Sequence, residues 1–298
     1  MGVIESGRRY HWLKLLIIII FPGILSWSSA VFAQDVNRQL YSLPYDKVVF
    51  ITTHNAYNHR PNHLFPNQRY NIKRQLNDGV RAFMLDIYPH KNQVEMYHGF
   101  RLLGHTKLIK TLNILKKFLD THPDAIITLF FECYVPFKEV EKVFVQSDLM
   151  AYLNTQAKGK KWLTLNEMIA SGKRLVVFSS ENDSIKDSWY HYVYDYSTET
   201  AYSNSRPSDF NFKSDRGSAE NSLLILNNFL YSFTGTGSPC KAKHVNSFDF
   251  LFDRCKRCMS QTGKIPNFLT VDFYHKGDVF KVADSINKIT MKQFNEMK

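Results

Sequence analysis

Residues 125–134 read Ala-Ile-Ile-Thr-Leu-Phe-Phe-Glu-Cys-Tyr, apolar at almost every position. A strand with one wet face alternates between apolar and polar residues. A run that does not alternate is buried on both faces, as in a parallel sheet covered by helices. This run meets Glu132 near its end. Three other apolar runs finish in the same way: Val48 to Thr53 on His54 and Asn55, Val80 to Tyr88 on Asp86, and Val94 to Gly99 on His98. Four strands that each carry an ionisable or amide group at the C-terminal tip imply one shared site, because catalytic groups of parallel barrels gather at that edge.

The rest of the chain alternates accordingly. Helical spacing over Thr106 to His122 places Leu108, Ile109, Leu112, Ile114, Leu115, Phe118 and Leu119 on one face. Short helices are expected at Ile72 to Asn77 and after Pro136, and at Thr164 to Ser171, where Thr164 and Glu167 have the spacing of a capping box. Further strands are expected at Leu175 to Phe178, Ser222 to Leu226 and Asn267 to Tyr274, with helices over Val245 to Gln261 and Asp278 to Phe294. Residues 181–220, rich in Ser, Asp, Asn, Tyr and Thr, read as an irregular insertion, and 56–71 as a loop that could rim a site. Alternating strands and helices in one stretch of about 265 residues predict an α/β fold, a barrel rather than an open sheet.

The N-terminus is a separate element. Arg8, Arg9 and Lys14 precede the apolar run Leu15 to Trp27, and Val31-Phe32-Ala33 forms a small-residue cleavage box. Thirteen apolar residues containing Pro22 and Gly23 fall short of the roughly 20 that a membrane-spanning helix needs. Residues 1–33 are therefore expected to be a signal peptide and residues 34–298 a single domain, secreted or periplasmic. Cleavage removes three Lys/Arg and one Glu, which lowers the formal charge from +11 to +9.

Export permits disulfides. Cys240 is expected to pair with Cys255 or Cys258, whereas Cys133, inside an apolar strand, reads as a small buried hydrophobe. The basic residues are scattered among acids and form no dense run, which argues against nucleic acid but leaves attraction to anionic membrane surfaces. Neither G-x-G-x-x-G nor a P-loop occurs, so no organic cofactor is expected.

Two histidines on separate strand tips suit general acid–base catalysis, since imidazole gains and loses its proton near neutrality. One would take a proton from a nucleophile and the other protonate a leaving group, as phosphodiester cleavage requires. Asn55, Asp86 and Glu132 are hard oxygen donors, a set suited to Ca²⁺ or, second, Mg²⁺. His59 and His63 read as rim residues, and the remaining histidines as ordinary ones.

Taken together, Thr-Thr-His54-Asn55, Gly79 to Asp86, Tyr97-His98-Gly99, Thr128 to Glu132, Trp162 to Met168, Gly172 to Phe178 and Pro266 to Tyr274 resemble the X domain of phosphatidylinositol-specific phospholipase C, in its secreted single-domain form. The resemblance covers most of residues 46–290 and is weakest over 181–220. It implies a distorted TIM barrel. His54 would be the base that deprotonates the inositol 2-hydroxyl, and His98 the acid that protonates the diacylglycerol oxygen. Asn55, Asp86 and Glu132 match the calcium ligands of metal-using members, but Met84 stands where those carry another acid. The metal-independent bacterial enzymes have an arginine at the place of Asp86, which this chain lacks. Arg81 and Lys173 are the candidates for holding the substrate.

Three functions follow as expectations. The first is an exported phosphodiesterase acting on an inositol phospholipid at a membrane surface. The second is a glycerophosphodiester or sphingolipid phosphodiesterase on the same barrel, and the third a catalytically silent barrel that binds lipid or glycan. A monomer is expected in each case.

Overall fold

The barrel begins where the chain leaves a short 3₁₀ turn, Tyr45–Lys47, and enters strand β1, Phe50–Thr53, buried at every residue. The computed structural model describes residues 39–182, 188–232 and 236–296. The expected signal peptide lies outside the described residues. In chain order follow helix α1 (Ile72–Asn77), β2 (Ala82–His90), β3 (Gln93–Met96), β4 (Thr106–Lys107), α2 (Leu108–Thr121), β5 (Ile127–Cys133), α3 (Phe137–Gln146), α4 (Leu165–Ala170) and β6 (Leu175–Ser179). Then come β7 (Tyr190–Tyr192), β8 (Ser197–Thr200), β9 (Ser214–Arg216), β10 (Leu223–Asn228), α5 (Pro239–Val245), α6 (Phe248–Thr262), β11 (Phe268–Val271) and α7 (Val279–Glu296).

Eight strands run parallel in the spatial order β7, β6, β5, β2, β1, β11, β10, β8. Read as a circle this is the order of the sequence, with β7 and β8, which are consecutive in the chain, left unpaired at the seam. Side chains show that the sheet curls. Phe130 of β5 and Phe178 of β6 reach Phe268 of β11 with ring centroids 4.7 and 6.4 Å apart. In a flat sheet β6 and β11, four strand spacings apart, would be separated by about 19 Å. Tyr45 and Trp162 plug the floor with rings 4.7 Å apart, and the Tyr45 hydroxyl lies 2.5 Å from Thr128 Oγ1. Each such buried ring contributes roughly 2–3 kcal/mol of apolar burial.

Outside, α2 turns Leu108, Leu112, Leu115 and Leu119 inward, as its spacing predicts, and Thr164 and Glu167 form the expected capping box on α4. The irregular circuit is the one between β6 and β10. β7 is followed only by a 3₁₀ turn, and β8 pairs with the antiparallel β9 before the chain returns to β10. Among the described residues no α-helix lies in this circuit, only the 3₁₀ turns Val193–Asp195 and Pro207–Asp209, which distorts the TIM barrel.

Three expectations are corrected here. The stretch 181–220 is not merely an irregular insertion: it supplies two barrel strands, β7 and β8, too short to show a period in the sequence. The run ending at His98 is not a barrel strand, since β3 is antiparallel to β2 with Ile87 opposite Met96. All four cysteines are free, because Cys255 and Cys258 face the core from α6 while Cys240 is exposed on α5. Burial pushes both core thiols up, Cys258 to about 11, so neither is a thiolate at neutral pH. Cys133 is buried as expected.

Candidate functional site

At the C-terminal edge β1 and β11 run in register, Thr53 opposite Val271, so the next residues, His54 and Asp272, emerge side by side. His54 Nδ1 lies 2.9 Å from Asp272 Oδ1. The ring lies flat on Phe229, with centroids 3.9 Å apart and planes 5° from parallel. Asp272 accepts only, so His54 Nδ1 carries the proton and Nε2 is left for a ligand. Gln68 ties the two tips together by donating to the carbonyls of His54 and Val271 at 2.9 and 3.0 Å. Asn55 then turns the chain with φ of 45°, a left-handed conformation that asparagine tolerates better than most residues.

The second pair forms differently. β3 returns antiparallel to β2, and His98, two residues past its end, comes back to the level of Asp86. Nδ1 lies 3.2 Å from Asp86 Oδ2 and 3.3 Å from Asn55 Nδ2. The hydrogen bond with Asp86 raises the pKa of His98 above that of a free imidazole, against burial, with the charges of Asp86, Glu132 and Asp272 adding to it. A histidine held in its protonated form is suited to giving up a proton.

Asp86 and Glu132 stand directly opposite each other on the adjacent parallel strands β2 and β5. Burial and the charge of Asp86 raise the Glu132 pKa, countered by a 2.6 Å bond from the Tyr134 hydroxyl. Tyr134 stacks on Tyr88, which stacks in turn on Tyr97, with centroids 4.5 and 4.1 Å apart. Asn55 Oδ1 is buried with no hydrogen-bond partner. Two mutually repelling carboxylates and an unpaired amide oxygen are a donor set that a hard divalent cation would relieve. Met84, two residues before Asp86, lines the same cavity and adds no charge. Among the described residues no three of His, Cys, Asp and Glu converge as a ready metal cage.

His54, Asn55, Met84, Asp86, His98, Glu132, Tyr134 and Phe229 border one cavity of about 500 Å³ at the mouth of the barrel, with Asp272 behind His54. Its far wall comes from the region that showed no period in the sequence. Arg216 of β9 pairs with Glu199 of β8 at 2.9 Å, and its guanidinium lies 4.5 Å over Tyr202 and 5.3 Å over Tyr194. Asn227 of β10 donates to Glu199 at 2.8 Å. Arg216 Nε and Asn227 Oδ1 are buried without partners, a donor and an acceptor beside the same cavity.

The structure thus brings His54, Asn55, Asp86, His98 and Glu132 together. Arg81 and Lys173 it leaves at the opposite edge, the start of the strands. Arg81 donates to the carbonyls of Leu76 and Val80 and covers Phe118, while Lys173 donates to the Ala151 carbonyl. Neither borders the cavity. Asp272, Glu199, Arg216 and Asn227 were not singled out in the sequence. Asp272 had a signal there, since Leu269 to Val271 is one more apolar run ending on an acid.

The PI-PLC X 1 family matches residues 40–287. A PI-PLC X domain-containing protein of Arabidopsis thaliana is 29% identical over 274 residues, covering 82% of this chain and 63% of that protein. An uncharacterized secreted protein of Arthroderma benhamiae is 26% identical over 278 residues, covering 83% and 62%. The chain thus spans under two thirds of the length of these two relatives. Phosphatidylinositol-specific phospholipase C from Listeria monocytogenes shares the fold, with a TM-score of 0.55 at 16% identity over 86% of this chain and 98% of that one. With the family matched over most of its length, and a barrel of the same kind carrying the matched strand tips to one mouth, the chain belongs to the PI-PLC X family.

Proposed function

We propose that this protein is an exported phosphodiesterase that cleaves the headgroup of an inositol phospholipid at a membrane surface. The observation that carries this reading is the pair of histidines on one cavity, each held through Nδ1 by its own aspartate. His54 Nε2 takes the proton from the hydroxyl next to the phosphodiester. That oxygen attacks phosphorus, the bond to the lipid oxygen breaks, and His98 gives the departing alkoxide its proton. The products are a cyclic phosphate and diacylglycerol, and the proton is balanced between the two imidazoles. Such a pair is worth roughly 10²–10⁴ in rate for each proton transfer.

The unpaired Arg216 Nε and Asn227 Oδ1 beside Glu199 suit the hydroxyls of a polyol headgroup. Asn55, Asp86 and Glu132 would hold Ca²⁺, with Mg²⁺ second, and such an ion would offset negative charge on the phosphate. Two carboxylates and one amide, with Met84 beside them, give a thin ligand set and hence weak affinity. Export is supported by the leader-like residues 1–33 and by the relative named as secreted. Among the described residues no helix is long and apolar enough to cross a membrane.

Phosphorus NMR of phosphatidylinositol vesicles incubated with residues 34–298, with calcium or with a chelator, tests the reading. A cyclic inositol phosphate is expected from wild type and none from His54→Ala or His98→Ala. Equal turnover by all three proteins would sink it. Release from a glycerophosphodiester or sphingolipid without a cyclic inositol product would move the activity to those headgroups. Vesicle binding with no release would make the barrel a binding module.

A further inference from the structure

We propose that Asn67 is a positioning residue: from a loop, it fixes both the carboxylate that orients His54 and the way round in which the Asn55 amide lies. The proposal rests on the acid–base reading of the site. Asn67 is 2% exposed within the loop 56–71. Its backbone is clamped at both ends, its N–H donating to the Asn58 carbonyl at 3.0 Å and its own carbonyl accepting from the Phe273 N–H at 2.8 Å.

Its side chain reads out a polarity. Asn67 Nδ2 lies 3.2 Å from each oxygen of Asp272 and 3.5 Å from His54 Nδ1. A carboxylate only accepts, so the end of the amide that meets it must be the NH₂. Oδ1 of Asn67 therefore points the other way, where it accepts from Asn58 Nδ2 at 2.8 Å and Asn55 Nδ2 at 3.3 Å. An acceptor facing Asn55 demands its NH₂ in turn, and Asn55 Oδ1 is left buried and unpaired. An unpaired buried oxygen is costly. Flipping Asn55 would set its oxygen against that of Asn67, a contact that competes with the 3.3 Å approach of Asn55 Nδ2 to His98 Nδ1. The negative charge of Asp272 thus reaches, through two amides, the way round in which the Asn55 amide lies.

Gly237 closes the arrangement from above. A Cβ there would stand 2.7 Å from Asp272 Oδ2 and 3.2 Å from Asn67 Nδ2, so the backbone lies directly on the pair. Asp272 has no room to swing away from His54 while Asn67 holds both its oxygens.

The test compares Asn67→Leu, which keeps the volume without polar atoms, with Asn67→Asp, which keeps the shape but cannot donate to Asp272. Kinetics on phosphatidylinositol vesicles are read beside the ¹⁵N spectrum of the side-chain amides and the melting temperature. In wild type the NH₂ protons of Asn55 and Asn67 are expected to be protected from exchange. Both variants are expected to remain folded and to lose 10- to 100-fold in kcat with KM changed less than twofold; Asn67→Leu is also expected to lose the protection at Asn55, which Asn67→Asp keeps because it still accepts from Asn55 Nδ2. Wild-type Asn55 signals in folded Asn67→Leu, or kcat within twofold of wild type in either folded variant, would overturn the proposal. If wild type itself turns over no lipid, the acid–base reading fails, and the Asn55 signals alone decide the positioning role.

Discussion

His54 and His98 each lean on an aspartate, but the sheet delivers the two pairs by opposite routes. His54 and Asp272 leave neighbouring parallel strands at the same level, so strand register sets them side by side. The His54 side chain is 11% exposed and lies on Phe229. His98 arrives on the return leg of an antiparallel hairpin, at 3.2 Å from Asp86, with its side chain 40% exposed. The buried pair is enclosed, with His54 flat on Phe229 and both oxygens of Asp272 met by Asn67 Nδ2. The open pair is held by one strand of an appended hairpin and is the more exposed of the two. A base needs a fixed lone pair aimed at one hydroxyl, whereas an acid needs a proton and a way out for the product.

The largest effects should come from breaking either pair at the imidazole. His54→Ala and His98→Ala should each lower kcat/KM by roughly 10²–10⁴. They should differ with leaving group: a substrate whose leaving oxygen is already acidic, such as a nitrophenyl phosphodiester of inositol, should restore turnover to His98→Ala and not to His54→Ala. Equal rescue of both would erase the assigned difference between base and acid.

The next effect is at the carboxylate. Asp272→Asn should cost about 10²-fold in kcat, because the amide can donate to His54 Nδ1 and so favours the wrong tautomer. Removing the facing wall should act on binding instead. Arg216→Ala should raise KM about tenfold, roughly 1.4 kcal/mol, with kcat little changed. A kcat loss without a KM change would place Arg216 among the groups that act on the transition state.

The smallest effect concerns stability and uses a third histidine as contrast. His191 lies in the barrel interior beside Tyr196, 3% exposed, with Nε2 unpaired and no carboxylate partner. Burial pushes its pKa down from 6.5 to about 4, a contact with the Asn154 backbone opposing. The unfolded chain then binds the proton more readily than the folded one. Its contribution is complete above about pH 6.5 and is lost as the pH falls towards 4, up to about 3 kcal/mol. Denaturant midpoints between pH 7 and 4 should therefore fall less for His191→Asn than for wild type. A parallel fall would show that burial alone does not set this histidine apart from the two carboxylate-bound ones.

The chain by itself determined the parallel barrel, because runs such as 125–134 have no wet face, and it marked the site residues, because each is a polar group at or near the end of an apolar run. His54, Asn55, Asp86, His98 and Glu132 were legible on that rule. Asp272 obeyed it too. What the tertiary structure decided lay wherever local pattern carries no information. β7 and β8, of three and four residues, are too short to show a period, and so Glu199 and Arg216 were hidden in an apparent insertion. Arg81 and Lys173 precede their strands, and polarity alone does not tell the closed edge of a barrel from the open one. Asn67 sits in a loop rich in Asn and His, and only folding shows which of those amides meets the carboxylate of β11. The cysteines make the same point: spacing in the chain permitted a bridge, while helix phase turned Cys255 and Cys258 inward and left Cys240 outside. A strand's own hydrophobicity fixes where it ends. What stands opposite that end depends on register and on loops closing over it, contacts between residues as far apart as Asn67 and Asp272.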